Sequence, residues 1–284
     1  MGRWLVIVAR GHGHNMEKER QGYYRNHGKE EAFYRSFVPT PLQEIDLEVD
    51  EPMHTLLLAA ERRLTGTAGI DALEQEARSS VNLAYGESDI ELKFDLLTIG
   101  SHKQEDVGYL RDAMRYALER MRYLPLSGRL LKELHGVMMR GRHNEKKYPG
   151  EFRRSPIWIG AEGDTLSTAA YVPPTADDMH EAFTMLEKYI NYEDHTHPLI
   201  MAALIHYQFE AIHPFIDGNG RMGRLLALLF LIERGVLRGY SLPLSHGLNR
   251  NPFKYYTRLA AVEVSGAYER WVKYFLQALL WGLS

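Results

Sequence analysis

From about residue 51 onward, apolar residues recur mostly at helical spacing. Val107, Leu110, Met114, Leu118 and Met121 follow one another at steps of three or four, which predicts an amphipathic helix ended by Leu124-Pro125. Ser127 is placed to cap the next helix, whose stripe is Leu130, Leu131, Leu134, Val137 and Met138, with Gly141 near its end. Thr175 can cap another that carries Met179, Phe183, Leu186 and Ile190. Trp271, Val272, Phe275, Leu276 and Leu279 mark the last. Two segments differ. Leu199 to Ile212 (LIMAALIHYQFEAI) and Leu225 to Leu231 (LLALLFL) are apolar on almost every side. A helix without a polar face lies in the middle of a fold.

The stretch from Tyr148 to Pro174 has another character. Ile157-Trp158-Ile159 favours a strand, Glu162-Gly163-Asp164 a turn, and Ala170-Tyr171-Val172 a second strand running into two prolines. A small β-hairpin is expected there. The fold class is therefore mainly α: a helical bundle around a central buried helix-loop-helix, with one hairpin. Residues 1–50 carry the charge clusters EKER and GKEEAF and the turn Pro39–Pro41, and read as an irregular N-terminal arm. Residues 51–104 form an N-terminal helical region and 105–284 the core domain.

The length of 284 residues allows one large domain or two modest ones. Lys and Arg number 34 against 37 Asp and Glu, a net charge of -3, which argues against a nucleic-acid coat or a polybasic membrane binder. The chain has no cysteine, which excludes a disulfide scaffold, a Cys-ligated zinc site, an iron–sulfur cluster and a Cys nucleophile. No run reaches the roughly 18 apolar residues of a membrane span. Trp4 to Ala9 is too short for a secretory signal core, and Met16 is an alternative start. A cytoplasmic protein is expected.

Residues 213–224 between the two buried helices read HPFIDGNGRMGR. His213 precedes Pro214 and is pushed out of helical geometry, so the first buried helix stops near Ile212. Gly218-Asn219-Gly220 permits a left-handed turn that opens the second helix. Such a turn aims free N–H groups and the positive end of the helix dipole at one point, a cradle for phosphate. Arg221 and Arg224, three apart, share a face and can reach one polyphosphate. Asp217 is placed to hold Mg²⁺ bridging phosphate oxygens. His213 is placed to take a proton from an incoming hydroxyl. Phe215 anchors the loop from below. Each part alone has an ordinary use as a cap, a turn or a solvated charge. A loop between two greasy helices, however, has no need of so many polar groups. Together they describe phosphoryl or nucleotidyl transfer.

HPFIDGNGRMGR also resembles the signature of the Fic (filamentation induced by cAMP) family, HPFx(D/E)GNGRxxR, at every specified position. PGEFRRSPIWIG followed by YVPP is similar to that family's flap, a hairpin that pairs with a target's backbone. LSHGLNRNPFKYY resembles the stretch that closes over the adenosine. The likeness covers roughly residues 105–282 and, more loosely, extends back to about 50. It implies a Fic fold and adenylyl transfer: a protein adenylyltransferase taking MgATP, moving AMP to a Ser, Thr or Tyr hydroxyl and releasing pyrophosphate. By position it implies His213 as general base, Asp217 on the metal, and Gly218, Asn219 and Gly220 as anion nest. Arg221 and Arg224 fall on the β- and γ-phosphates, and Asn251 on the nucleotide. It also implies a target protein docking on the 150–174 flap and a possible homodimer, with no membrane partner.

Many Fic proteins are held off by a helix of pattern (S/T)xxxE(G/N), whose Glu pairs with the second motif arginine. The matching stretch here is Glu76 to Gly86, where Ser79-Ser80 is in place but the expected Glu falls on Leu83. Leucine cannot pair with Arg224. Ser265 to Glu269 (SGAYE) has the spacing near the C-terminus, but no Gly or Asn follows and Glu269 leads into a core stripe. Relatives often carry a winged-helix module after the core; the chain stops at Ser284, and none is expected. Other readings keep the fold: γ-phosphate transfer as in the death-on-curing branch, which usually loses a motif Arg or Gly; AMP removal, which depends on the inhibitory Glu; or transfer of UMP, GMP or phosphocholine. A further one is a toxin or binding module silenced by a partner.

Overall fold

The computed structural model describes residues 20–67, 69–86, 99–161 and 163–284. The Trp4 to Ala9 run and Glu162 lie outside them. Helices dominate: α1 Glu51–Thr65, α2 Leu73–Ala84, α3 Ile99–Arg120, α4 Gly128–Met138, α5 Ala176–Tyr192, α6 Pro198–Ile212, α7 Asn219–Glu233, α8 Leu244–Asn249, α9 Pro252–Ser265 and α10 Tyr268–Gly282. Capping places several of their starts. Ser127 accepts from the Leu130 N–H, Thr175 from Asp178 and Asp50 from Met53. Pro198 sits in the first turn of α6, where its missing N–H is no loss.

The centre is the pair α6 and α7. Every residue of α6 from Leu199 to Ile212 is buried, as is nearly all of α7 up to Leu231. Gly223 permits the close approach, since a Cβ there would come within 2.6 Å of Glu210 Oε1 and 3.2 Å of the Phe209 ring. α5 and α10 cover α6, while α2, α3 and α4 lie against α7. α10 also packs on α1, α8 and α9. None of the described helices is long and apolar enough to cross a membrane.

Two expectations about strands change. The regular hairpin is in the N-terminal segment, which was expected to be irregular. β1 Gly22–His27 and β2 Tyr34–Pro39 pair antiparallel from Gly22↔Pro39 to His27↔Tyr34. β2 buries Ser36 through Thr40 against α6 and α5, so only one end of the hairpin has an apolar face and the alternation is weak. The 148–174 flap carries a single antiparallel pair, Ile159↔Tyr171, bonded both ways at 2.8 and 3.0 Å. Pro156, Pro173 and Pro174 flank that pair without an N–H to offer, so the ladder stops there. The two elements meet where the Phe37 N–H donates to Val172 C=O at 2.8 Å.

Candidate active site

The loop between α6 and α7 is closed from within. Asn219 bonds Phe215 twice, Oδ1 accepting its N–H and Nδ2 donating to its C=O, each at 2.9 Å. The Asn219 side chain thus shapes the turn, and its part in the nest is its backbone. Gly218 has φ 79°, and a Cβ would lie 3.0 Å from Met138 Cε and 3.1 Å from Met139 Sδ. Both conformation and space require glycine. Phe215 is fully buried and stacks on His135, ring centroids 3.8 Å apart. His135 accepts the Gly150 N–H at Nδ1 and so donates Nε2–H to Asp217 C=O at 3.0 Å. Burial lowers its pKa to about 4, and it is a neutral brace joining α4, the flap base and the loop.

A second brace is Arg153, almost wholly buried. Its guanidinium donates to His213 C=O at 2.8 Å, Pro174 C=O at 2.6 Å and Ile212 C=O at 3.2 Å, and its N–H reaches Pro214 C=O. Two of these, Ile212 and His213, are the end carbonyls of α6, where a cation is favoured. They hold His213 in a left-handed conformation, φ 50°, that non-glycine residues adopt rarely.

That conformation sets the imidazole. His213 Nδ1 lies 3.1 Å from Glu210 C=O, which can only accept, so Nδ1 carries the proton and Nε2 keeps its lone pair. Burial lowers the His213 pKa to about 4, so the ring is neutral at pH 7. Asp217 faces Lys147 at 2.5 Å and accepts the Gly218 N–H. Burial pushes its carboxyl up, but the charges of Arg221 and Lys147 and these hydrogen bonds outweigh it and hold it at about 2.

The two arginines are not in the same situation. Arg221 NH1 is paired with Asp106 Oδ2 at 2.9 Å, both nearly buried. Arg224, 1% exposed, is held by α2: Nε to Ser80 Oγ at 3.1 Å and NH2 to Ser80 C=O at 2.8 Å. Burial works against its charge, and Tyr255, Tyr256 and Glu210 more than offset that. Leu83 is in the core, where it makes no ion pair, yet the same helix still grips Arg224 through Ser80. Glu269 near the C-terminus pairs with Arg20 at 2.5 Å. Asn251 caps α9, accepting the Lys254 N–H at 2.9 Å, and that bond engages it outside the loop.

The structure therefore brings together His213, Asp217, Gly218, Asn219, Gly220, Arg221 and Arg224. Sequence reasoning missed Asp106, His135, Lys147 and Arg153, which hold them. No short motif marks these four; Arg153 alone had a signal, a charge inside the GEFRRSPIW segment beside the flap. Next to the loop, a small cleft is lined by Tyr171, Tyr207, Glu210, Ala211, Leu259 and Glu263. Burial raises both its carboxyls, Glu210 and Glu263, to about 7.

Fold and loop define a helical protein in which a glycine turn opens the N-terminus of a buried helix beside a neutral histidine. Residues 125–231 of the chain match the model of the Fic/DOC family. The chain is 35% identical over 113 residues to a protein adenylyltransferase Fic of Drosophila yakuba, covering 39% of this chain and 20% of that one. The Drosophila melanogaster counterpart is 38% identical over 88 residues, 30% of this chain and 16% of that one. The chain thus spans a fifth or less of the length of these curated relatives. Among solved structures, a Fic family protein from Desulfovibrio desulfuricans has 21% identity and a TM-score of 0.61, covering 84% of this chain and 74% of that one. Fic-1 from C. elegans has 16% identity and a TM-score of 0.54, covering 78% and 68%. These structural likenesses speak for the fold.

Proposed function

We propose that this chain is a protein adenylyltransferase, a nucleotidyltransferase that moves AMP from ATP to a hydroxyl side chain of a target protein. The observation that carries the reading is His213, neutral, with Nδ1–H committed to Glu210 C=O and Nε2 open, beside the turn that starts α7. The target oxygen attacks the α-phosphorus, the bond to the β-phosphate bridging oxygen breaks, and pyrophosphate leaves. The hydroxyl proton passes to His213 Nε2 and then to solvent. Gly218 makes the left-handed turn with its own N–H kept on Asp217, the N–H groups at Asn219 and Gly220 donate to phosphate oxygens, and Arg221 and Arg224 take the β- and γ-phosphates. In this reading Asn251 joins the nucleotide site through its Nδ2 donors while Oδ1 caps α9.

The residues fit Mg²⁺. Asp217 is a half-exposed carboxylate held ionised and already facing a cation, the Lys147 ammonium. One carboxylate completed by substrate phosphates is how Mg²⁺ is commonly held. When bound it would neutralise charge on the phosphates.

The target protein docks on the 150–174 flap, whose Trp158 is 45% exposed beside the Ile159↔Tyr171 pair. A homodimer and a cytoplasmic setting belong to the same proposal. The experiment uses ATP labelled on the α- or the γ-phosphate, with a cell lysate as target source and His213→Ala as control. Label from α only, lost in the control, is the expected result. Label from γ only would replace the reading by phosphoryl transfer.

A further inference from the structure

Beyond the loop, one cluster of side chains has the composition of a metal site. His102 and Glu105 stand three apart on the same face of α3, and both are exposed. The 3-10 turn Arg142–Lys147 brings His143 against them. One potential ligand atom from each of the three lies within 4.8 Å of the others. The two imidazoles are 4.5 Å apart between centroids.

We propose that His102, Glu105 and His143 bind a borderline divalent cation of the zinc class. Two imidazole nitrogens and one carboxylate oxygen suit Zn²⁺, Co²⁺, Ni²⁺ or Cu²⁺, whereas Mg²⁺ and Ca²⁺ take oxygen. The site is thus different in kind from Asp217. Tetrahedral zinc with bonds of about 2.0–2.1 Å sets its ligand atoms about 3.4 Å apart. The ligand atoms, within 4.8 Å of one another, must draw together to reach that spacing, and His102 and Glu105 are exposed side chains.

The partner of His143 supports this assignment. Its Nε2 lies 3.0 Å from Asp106 Oδ1, and Asp106 is 2% exposed. A metal-bound histidine commonly gives its other N–H to a carboxylate that fixes the ring and raises its basicity. With Nε2–H so committed, Nδ1 keeps the lone pair. Gly141 makes the room: a Cβ there would come within 2.5 Å of the His143 ring. Asp106 also accepts from Tyr85 and from Arg221, so the bound cation would stand two residues from a motif arginine. A fourth coordination position stays open to water or another ligand.

The test is titration of the tag-free full chain with Co²⁺, read by visible absorption, followed by displacement with Zn²⁺. One equivalent of Co²⁺ should develop the bands of a nitrogen- and oxygen-ligated low-coordinate ion, and Zn²⁺ should abolish them. The double variant His102→Ala, Glu105→Gln changes only exposed side chains. It should bind at least tenfold more weakly, with the metal-free melting temperature unchanged. Asp217→Asn should bind Co²⁺ as the wild type does. Equal affinity in the wild type and the double variant would overturn the proposal, as would loss of the bands in Asp217→Asn alone.

Discussion

The loop between α6 and α7 and the flap from 148 to 174, which the proposed function joins in one reaction, are built in different ways. In the loop, Asn219 closes Phe215 on both its N–H and C=O, His135 holds Asp217 C=O, and Arg153 gathers the last carbonyls of α6. Away from its base, where Gly150 and Arg153 join the core, the flap has one strand pair among the described residues, a Thr165–Thr168 turn set by local side chains, and an exposed tryptophan. The loop's geometry is therefore a property of the core, while the outer part of the flap rests on few bonds among the described residues. The proposed function would thus place bond making in the part that cannot rearrange cheaply, and target binding in the part that can.

The largest effect should come from His213→Ala. Transfer should fall by about 10²–10⁴ while the melting temperature hardly changes, read with labelled ATP. The same group gives a pH signature. Its folded pKa of about 4 lies below the ordinary 6.5, so the unfolded chain takes the proton first. The stability His213 contributes is thus complete above about pH 6.5 and is lost as pH falls towards 4. Denaturant melts of His213→Ala should show a shallower acid decline over that window. Imidazole NMR of the wild type should show no His213 titration between pH 6 and 8; a midpoint near 6.5 would remove the neutral-base argument.

Next in size is Arg153→Met. It leaves two or three buried carbonyls without donors, at roughly 1–3 kcal/mol each, so a loss of about 3 kcal/mol is expected in urea unfolding. Transfer should fall too, because His213 loses the bond that holds its backbone. Full activity in the folded variant would mean the left-handed His213 needs no brace.

A single substitution made in both regions sharpens the contrast. Gly218 and Gly163 both have positive φ, 79° and 89°. Gly163→Ala meets nothing within 4 Å and should cost about 1 kcal/mol, the conformational penalty alone. Gly218→Ala adds contacts at 3.0 and 3.1 Å with Met138 and Met139 and should cost about 2 kcal/mol or more. Equal costs in thermal unfolding would mean the loop is as yielding as the flap.

Much of this was legible in the sequence, for reasons that also explain the rest. The helices announced themselves by stripes and caps, and the two all-apolar helices by having no polar face. The motif residues lie within twelve positions, so local geometry alone placed them together. Asp106, Lys147 and Arg153 reach the loop from elsewhere in the chain, separated by up to 115 residues, and no period or spacing encodes such a contact. The β1–β2 hairpin was hidden because only β2 is buried, which erases the alternation a strand normally shows. At the flap the strand signal was real, but the prolines beside it limit what can pair.

The smallest structural effect belongs to Trp158. At 45% exposure it covers little of the core, so Trp158→Ala should change stability by no more than about 0.5 kcal/mol. If the flap meets the target, the same change should raise KM for the target protein several-fold, as loss of an aromatic anchor does at an interface. KM for ATP should stay as it was, because Trp158 is outside the loop's bonding. The split between the two constants is the informative quantity. An equal rise in both would place Trp158 in the nucleotide site, and no rise in either would take target docking away from this edge of the flap.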